Sequence, residues 1–429
     1  MFRIFKKLLR IILPKSVFTF LINSYHFFVA VGSACWYGFP SNKMTVIAVT
    51  GTKGKSSVSE MVNAILEEAG FRTALANTIR FKIDTNSSPN LFKMTMPGRG
   101  YLQKFISKAK KADCTHVVLE ITSEGARQFR HIGISLDALI FTNIAPEHIE
   151  SHGSFDAYKK AKLKIGKALV TSKKRPRIMV ANAEDELGKK FLALNVDTKI
   201  PFILKDAEPY QTYDDKISMT FGDVTFTVPF PGAFTVRNAL ASASLARTLG
   251  IEPKIIGRAL QHMEPIRGRA ESIDAGQSFR VLVDYAHTPD SLKALYEAFP
   301  KTRKVCVLGN TGGGRDTWKR KEMGAIADSY CDKVILTNED PYDENPETII
   351  AEMIPDMKHP PTIIMDRRKA IQAALREATE ESVVLITGKG TDPFIMEEGG
   401  KKTPWNDAEV AREEILTLIQ TKKAEPLAK

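Results

Sequence analysis

The stretch Thr45-Val-Ile-Ala-Val-Thr-Gly-Thr-Lys-Gly-Lys-Ser-Ser57 constrains the fold of this chain more than any other. A β-branched apolar run from Thr45 to Val49 breaks into a turn holding Gly51 and Gly54, and a helical pattern follows through Glu68. Strand, glycine turn, Lys-Ser and helix together make a phosphate cradle formed by Gly51, Thr52, Gly54, Lys55, Ser56 and Ser57. Backbone N–H groups and the helix N-terminus face the anion, Lys55 reaches the outer phosphates, and the Ser56 hydroxyl is placed to ligate Mg²⁺. The common spacing Gly-x4-Gly-Lys-[Ser/Thr] would put its first glycine at position 49, which is Val, so the loop is a variant.

At 429 residues there is room for two or three domains, each with its own core. A charged fraction of 26% against 43% hydrophobic is that of a soluble globular protein. The net charge of +11 suits acidic ligands: a nucleotide, a phosphorylated sugar or an anionic membrane surface. Nucleic acid is not expected, because neither zinc-finger spacing nor a basic-aromatic repeat is present. Cys35, Cys114, Cys306 and Cys331 are scattered without metal-site spacing and read as reduced, buried thiols of a cytoplasmic protein.

Beyond the loop helix, apolar runs alternate with helical stretches in an α/β rhythm. Thr115 to Ser123 reads as a buried strand ending in a carboxylate, Glu120. An acid at a strand's C-terminal edge beside a phosphate loop is where a Mg²⁺ ligand should stand. Strands at Ile178–Ala181 and Met219–Val228 would extend the same sheet. Pro265 to Glu271 is a turn-rich joint, and strands at Val281–Asp284, Val305–Leu308, Val334–Leu336, Thr362–Met365 and Val383–Thr387 form a second doubly wound unit. At the N-terminus, MFRIFKKLLRIIL sets Arg3, Lys6, Lys7 and Arg10 on one helical face and Phe2, Phe5, Leu8, Leu9 and Ile12 on the other. That is an interfacial amphipathic pattern, broken by Pro14. Val17 to Phe39 is mostly apolar but holds Asn23, Ser24, His26 and Ser33, which weakens a membrane span.

Gly-Thr-x-Gly-Lys-Ser resembles the nucleotide loop of the Mur ligase superfamily, which includes the folylpolyglutamate synthetases. Further motifs follow in that family's order. Tyr37-Gly-Phe-Pro-Ser41 resembles the turn before its nucleotide strand and favours a helix packed on the ATPase domain, with peripheral membrane contact through residues 1–22 as the alternative. Phe141-Thr-Asn-Ile, then Glu147-His-Ile-Glu-Ser-His-Gly153 and Ala157-Tyr-Lys-Lys-Ala-Lys162, is similar to the tripeptide-forming enzymes, with Glu147 and Glu150 in place of Asp. The resemblance makes His148 the ligand of a second Mg²⁺ and Lys162 a carbamylated lysine that presents a carboxylate to the metals. Taken alone, His148 is a loop histidine and Lys162 one more helix-surface lysine. Asn238 matches the asparagine that contacts adenine, and Arg269 the hinge arginine that meets the nucleotide.

Asp284-Tyr-Ala-His-Thr-Pro-Asp290, with Asp284 and His287 toward the nucleotide, resembles the muramyl-tripeptide synthetases and departs from the Asp-x-Ala-His-Asn-Pro of folylpolyglutamate synthetases. Substrate contacts implied by the resemblance are Thr95, Arg315, Asp316, Lys319, Asp340, Tyr342, Gly388 and Asp392. Three departures stand out. Glu124 replaces a histidine linked with the acceptor, Tyr342 replaces the arginine that clamps diaminopimelate, and Gly388-Lys-Gly-Thr-Asp392 replaces Gly-Lys-Gly-His-Glu. A phenol does not substitute for a bidentate guanidinium.

The expected architecture is α/β. A helical extension (1–43) precedes a central phosphate-loop ATPase domain with a mostly parallel sheet (44–266) and a C-terminal Rossmann-like domain (267–429) that binds the incoming amino acid. The family's separate uridine-binding domain has no counterpart in residues 1–43. The implied activity is ATP- and Mg²⁺-dependent amide ligation through an acyl phosphate, with Lys55, Glu120, His148 and Lys162 catalytic and domain closure about Arg269 excluding water. The expected acceptor is a muramyl peptide, in a cytoplasmic monomer with membrane association as an option. Alternatives are a folylpolyglutamate-type ligase and a non-catalytic ATP-binding scaffold.

Overall fold

The computed structural model describes residues 13–98 and 100–424, so the amphipathic segment expected over residues 1–13 lies almost wholly outside it. The chain divides into two compact units. One comprises the residues through Ile144 with Asp156–Ile203 and Ala241–Ile251; the other comprises Ala145–Phe155, Leu204–Leu240 and Glu252 onward.

The first unit is built on eight strands: β1 (Thr45–Thr50), β2 (Thr73–Ala76), β3 (Arg80–Ile83), β4 (Asn86–Pro89), β5 (His116–Glu120), β6 (Ala138–Phe141), β7 (Ile178–Asn182) and β8 (Thr198–Phe202). Their order is β4-β3-β2-β5-β1-β6-β7-β8. From β2 to β8 all pairs are parallel, while β3 and β4 add an antiparallel edge. The central strand β1 is buried on both faces, as its unbroken apolar run requires.

Val46, Ala48, Val117, Leu119, Leu139 and Phe141 join one core with Leu102, Phe105 and Ile106. The last three lie on a helix, Tyr101–Lys111. Ile47 and Val49, on the opposite face of β1, are fully buried as well. Of the helices, α1 is Lys15–Trp36, α2 is Lys55–Glu68 and α3 is Phe155–Val170. In α2 the buried apolar positions Val58, Met61, Val62, Ile65 and Leu66 recur at helical spacing. In α3 the buried stripe runs Tyr158, Ala161, Lys162, Ile165, Leu169, so Lys162 occupies a core position.

The second unit holds a six-stranded sheet: β12 (Glu271–Ser272), β13 (Arg280–Asp284), β14 (Arg303–Leu308), β15 (Lys333–Leu336), β16 (Thr362–Ile363) and β17 (Ser382–Thr387), in the order β12-β13-β17-β14-β15-β16. All pairs but β12–β13 are parallel. Alternate residues feed two cores. Leu282, Cys306, Leu308 and Leu385 pack with Leu292, Leu295 and Met323. Val281, Val283, Val305, Val307 and Ile386 pack with Ile371, Leu375, Val410 and Ile415. Helices on both faces of a parallel sheet are the doubly wound arrangement expected.

Two expectations are corrected. Met219–Val228 does not extend the large sheet. β10 (Ile217–Phe221) and β11 (Val224–Val228) close an antiparallel hairpin across Gly222-Asp223, and β10 also pairs with β9 (Tyr210–Thr212), in a separate sheet. The two-residue turn, with Gly222 at positive φ, favours pairing with the adjacent strand over a distant one. The cysteines are not all reduced. Cys306 and Cys331 form a disulfide at a Cα–Cα distance of 6.2 Å, because β14 and the end of the following helix converge. Of the other two, Cys114 is buried and Cys35 is exposed.

Candidate functional site

In the first unit the chemistry gathers at the C-terminal edge of β1. Gly51 adopts φ +153°, and a Cβ there would lie 1.9 Å from Thr142 Oγ1, so only glycine fits. Gly54 is left-handed and starts α2. The loop is held open from outside: Thr52 N donates to Asn143 O (2.9 Å), Lys53 N to Asn143 Oδ1 (2.9 Å), and Thr142 Oγ1 to Lys53 O (2.6 Å). Lys55 Nζ folds back to Thr52 O at 2.8 Å. β5 runs in register beside β1 with Glu120 opposite Val49, which carries the carboxylate to the loop. Ser56 Oγ donates to Glu120 Oε2 (2.8 Å), as does Thr78 N (3.0 Å), while Thr78 Oγ1 donates to Glu120 Oε1 (3.0 Å) and contacts Thr95 Oγ1 (2.7 Å).

A hydroxyl against a carboxylate beside a phosphate loop is a hard-oxygen donor set of the kind Mg²⁺ takes alongside phosphate and water. Ser56 and Glu120 therefore fit the metal. Among the described residues no cluster of three or more His, Cys, Asp or Glu forms a metal cage without it. Lys162 is buried, donates to Gly51 O (2.5 Å) and lies 4.7 Å from the Tyr158 ring centroid. Tyr158 OH contacts Thr52 Oγ1 at 3.1 Å. The loop glycines, Lys55, Ser56, Thr95, Glu120 and Lys162 thus converge within one unit.

The second unit carries the remaining positions. His148 is left-handed (φ +57°) at the start of a short helix, Ile149–His152. Its neighbour Glu147 meets His287 Nε2 at 3.0 Å. His287 Nδ1 contacts Tyr285 O (2.6 Å), and Lys319 Nζ donates to His287 O (2.9 Å). Asp316 Oδ1 accepts from Glu150 N (3.0 Å). Asp284 accepts Ala286 N and Ala270 N, each at 2.7 Å, and so pins the turn after β13 rather than pointing free. Arg269 lies over the Tyr285 ring, 4.6 Å to its centroid. Asn238 is buried in the helix Ala233–Thr248.

Around the C-terminal ends of β15 and β17, Lys389 Nζ donates to Asp340 Oδ1 (2.8 Å) and lies 3.6 Å from Asp392. Tyr342 is left-handed (φ +53°) and its N donates to Met396 O at 3.0 Å. Arg315 keeps part of its surface open, yet its guanidinium sits among Tyr285, Tyr342 and Asp392; desolvation opposes its charge and those neighbours raise its pKa. The Asp392 charge, with burial, pushes the Tyr285 phenol well above its ordinary value. A Cβ on Gly388 would fall 2.2 Å from Glu339 Oε2, so this glycine lets the carboxylate approach the backbone.

Two family profiles match the chain: Mur ligase middle domain over residues 49–246, and Mur ligase, glutamate ligase domain, over residues 268–390. The UDP-N-acetylmuramoyl-L-alanyl-D-glutamate–2,6-diaminopimelate ligase of Syntrophomonas wolfei is 34% identical over 383 residues, covering 85% of this chain and 77% of the relative. The chain belongs to the Mur ligase family. It is an enzyme of that class, the ATP-dependent ligases that form amide bonds.

The UDP-N-acetylmuramyl-tripeptide synthetase of a Roseiflexus species is 31% identical over 414 residues, covering 90% of this Mur ligase and 81% of the relative. A solved diaminopimelate ligase of the same description as the Syntrophomonas enzyme is 26% identical with a TM-score of 0.59, covering 88% of this chain and 79% of that one. Mycobacterium tuberculosis folylpolyglutamate synthase shares the fold, with a TM-score of 0.67 at 16% identity, covering 91% and 94% of the two chains.

Sequence reasoning passed over several residues that shape this Mur ligase's sites. Thr78 holds both Glu120 oxygens, Asn143 braces the loop, and Tyr158 covers Thr52. Glu339 is buried with Oε2 lacking a hydrogen-bond partner among the described residues. Burial, reinforced by the Asp340 charge, raises the Glu339 pKa against the pull of Arg367 and Lys389. The one signal for Glu339 was a second acid beside Asp340, three residues past the apolar strand β15.

Proposed function

We propose that this Mur ligase joins an amino acid to the carboxylate of a muramyl peptide in peptidoglycan synthesis, as a cytoplasmic monomer using ATP and Mg²⁺. The observation that carries the reading is the buried Ser56–Glu120 contact at the mouth of the 51–57 loop, with Lys162 reaching the loop's own Gly51 carbonyl. It is supported by the similarity to ligases whose names specify a UDP-muramoyl dipeptide and an amino acid.

In the reaction, the acceptor carboxylate oxygen attacks the γ-phosphorus of ATP, the bond to the bridging oxygen breaks, and ADP leaves. The amine of the incoming amino acid then attacks the acyl carbon. Phosphate departs with the carboxyl oxygen, and the ammonium proton is lost to solvent. Lys55 and the loop N–H groups would hold the phosphates, and Ser56 and Glu120 would hold the metal. When bound, Mg²⁺ spreads the charge of the transferring phosphoryl group. By the resemblance His148 would hold a second Mg²⁺, and Lys162, once carbamylated, would supply a carboxylate. Asn238, Arg269, Asp284 and His287 serve the nucleotide. Arg315, Asp316, Lys319, Asp340, Tyr342, Gly388 and Asp392 serve the incoming amino acid, and Thr95, joined to Thr78, serves the acceptor.

Tyr342 in place of an arginine argues for an amino acid other than diaminopimelate. Competition assays with lysine, ornithine, glutamate and diaminopimelate test this. A strict preference for diaminopimelate would overturn the specificity reading while leaving ligation intact. Carbamylation of Lys162 is tested by Lys162→Ala: activity lost and partly restored by small carboxylates supports it, and an active Lys162→Ala enzyme refutes it.

A further inference from the structure

From Ser16 to Asn42 the sequence has no Asp, Glu, Lys or Arg, and α1 occupies most of that stretch. One side of α1 is seated on the first unit. Ala30 and Ala34 are buried, a Cβ on Gly100 would meet Ser33 Oγ at 2.2 Å, and one on Gly133 would meet the Ala34 Cβ at 2.4 Å. Phe27 meets Phe129 edge-on at 5.9 Å. The other side is apolar and open to solvent at helical spacing: Val17, Phe20, Leu21, Phe28 and Trp36, with Phe28 71% and Trp36 85% exposed. The patch continues past the helix. Phe92 and Met94, both exposed, line a cavity of about 410 Å³ together with Tyr25, His26 and Val29 of α1. Monomeric proteins rarely leave such a surface uncovered.

Charge selects the occupant. Arg3, Lys6, Lys7 and Arg10 precede the helix in sequence, Lys15 opens it, and the first acidic residue of the chain is Glu60. An apolar stripe entered from a purely cationic segment matches a bilayer, with the ring side chains entering the acyl boundary and the cations meeting headgroup phosphates. We infer that this chain docks on an anionic lipid surface through the outer face of α1.

The helix lies on the surface and does not cross it. Ser16–Trp36 is long enough and apolar enough to cross, but Ala30 and Ala34 are packed on the first unit and Asn23, Ser24, Tyr25 and His26 sit at mid-helix. The inference stands independently of the ligase reading.

The test is co-sedimentation of the full chain with phosphatidylcholine vesicles, with and without phosphatidylglycerol. We expect binding only when phosphatidylglycerol is present, weakening as salt rises. Phe20→Glu/Phe28→Glu should weaken binding at least 100-fold. Lys6→Glu/Lys7→Glu should weaken it at least 25-fold, from about fivefold for each cation removed. Both variants should keep the parent's unfolding transition and its rate of ADP release with a soluble acceptor. Failure of wild-type protein to sediment, or equal binding to neutral vesicles, overturns the inference. So does a lipid-free dimer that Phe20→Glu/Phe28→Glu dissolves, which would make the face a contact between copies.

Discussion

Replacing Glu120 by Gln separates the role of this side chain in the fold from its role in chemistry. Both carboxylate oxygens accept hydrogen bonds: Oε2 from Ser56 Oγ and Thr78 N, and Oε1 from Thr78 Oγ1. A glutamine with its carbonyl at the Oε2 position keeps the two bonds there. Its amide at the Oε1 position donates to the Thr78 hydroxyl, which turns its own proton toward Thr95 Oγ1, 2.7 Å away. Exchanging three charge-assisted bonds for neutral ones loses roughly 1 kcal/mol each, about 3 kcal/mol in all. Removing a charge from a side chain that is 2% exposed returns a comparable desolvation cost of several kcal/mol.

Net stability should therefore move by no more than about 1–2 kcal/mol, a shift of only a few degrees in Tm. The charge available to a metal at Ser56 is lost outright, and ADP formation should fall at least ~100-fold, as when one electrostatic stabiliser of a transition state is removed. Differential scanning calorimetry and a coupled ADP assay on the same preparation read the two effects. A Gln variant that turns over at near wild-type rate in saturating Mg²⁺ would refute the metal role. One that unfolds more than ten degrees early would refute the hydrogen-bond accounting.

Gly51→Ala must place a methyl 1.9 Å from Thr142 Oγ1 at a left-handed φ; the strain should cost about 3 kcal/mol and abolish nucleotide binding by titration calorimetry. Asp407→Ala orphans the buried Arg367, bonded to both Asp407 oxygens at 2.8 and 2.7 Å, and should cost about 3–5 kcal/mol in urea unfolding. His131 is 5% exposed, and burial, with Lys164 adding to it, lowers its pKa from the ordinary histidine value of 6.5 to about 4. Its folded pKa is depressed, so below pH 6.5 the unfolded chain takes the proton and the folded chain does not. Stability should fall between pH 6.5 and 4 by up to about 3 kcal/mol, from 1.36 kcal/mol per unit, and His131→Asn should flatten that slope in pH-dependent denaturation.

The strand, loop and helix from Thr45 to Glu68 were legible because each carries a local signal: β-branched residues, glycines at forced φ and apolar residues at helical spacing. The strands of the second sheet were legible from their apolar runs for the same reason. Partners were not. The period-two pattern of Met219–Val228 announces a strand but not which sheet it joins. Lys162 reads as a surface lysine until α3 turns that face into the core, and only the family resemblance singled it out. Thr78 and Asn143 act through bonds to residues 42 and 90 positions away, a separation no local pattern encodes. Cys306 and Cys331, separated by 25 residues, meet only because the crossover after β14 returns its helix beside the strand.

The most direct test of the central claim is product analysis. The full chain would be given ATP, Mg²⁺, a UDP-muramoyl dipeptide and each of lysine, ornithine, glutamate and diaminopimelate, with dihydrofolate plus glutamate as the competing pair. ADP release and product mass would be followed together. The account predicts ADP formed one for one with a muramyl product heavier by one amino-acid residue. ATP hydrolysis indifferent to acceptor, or product only from dihydrofolate and glutamate, would contradict it.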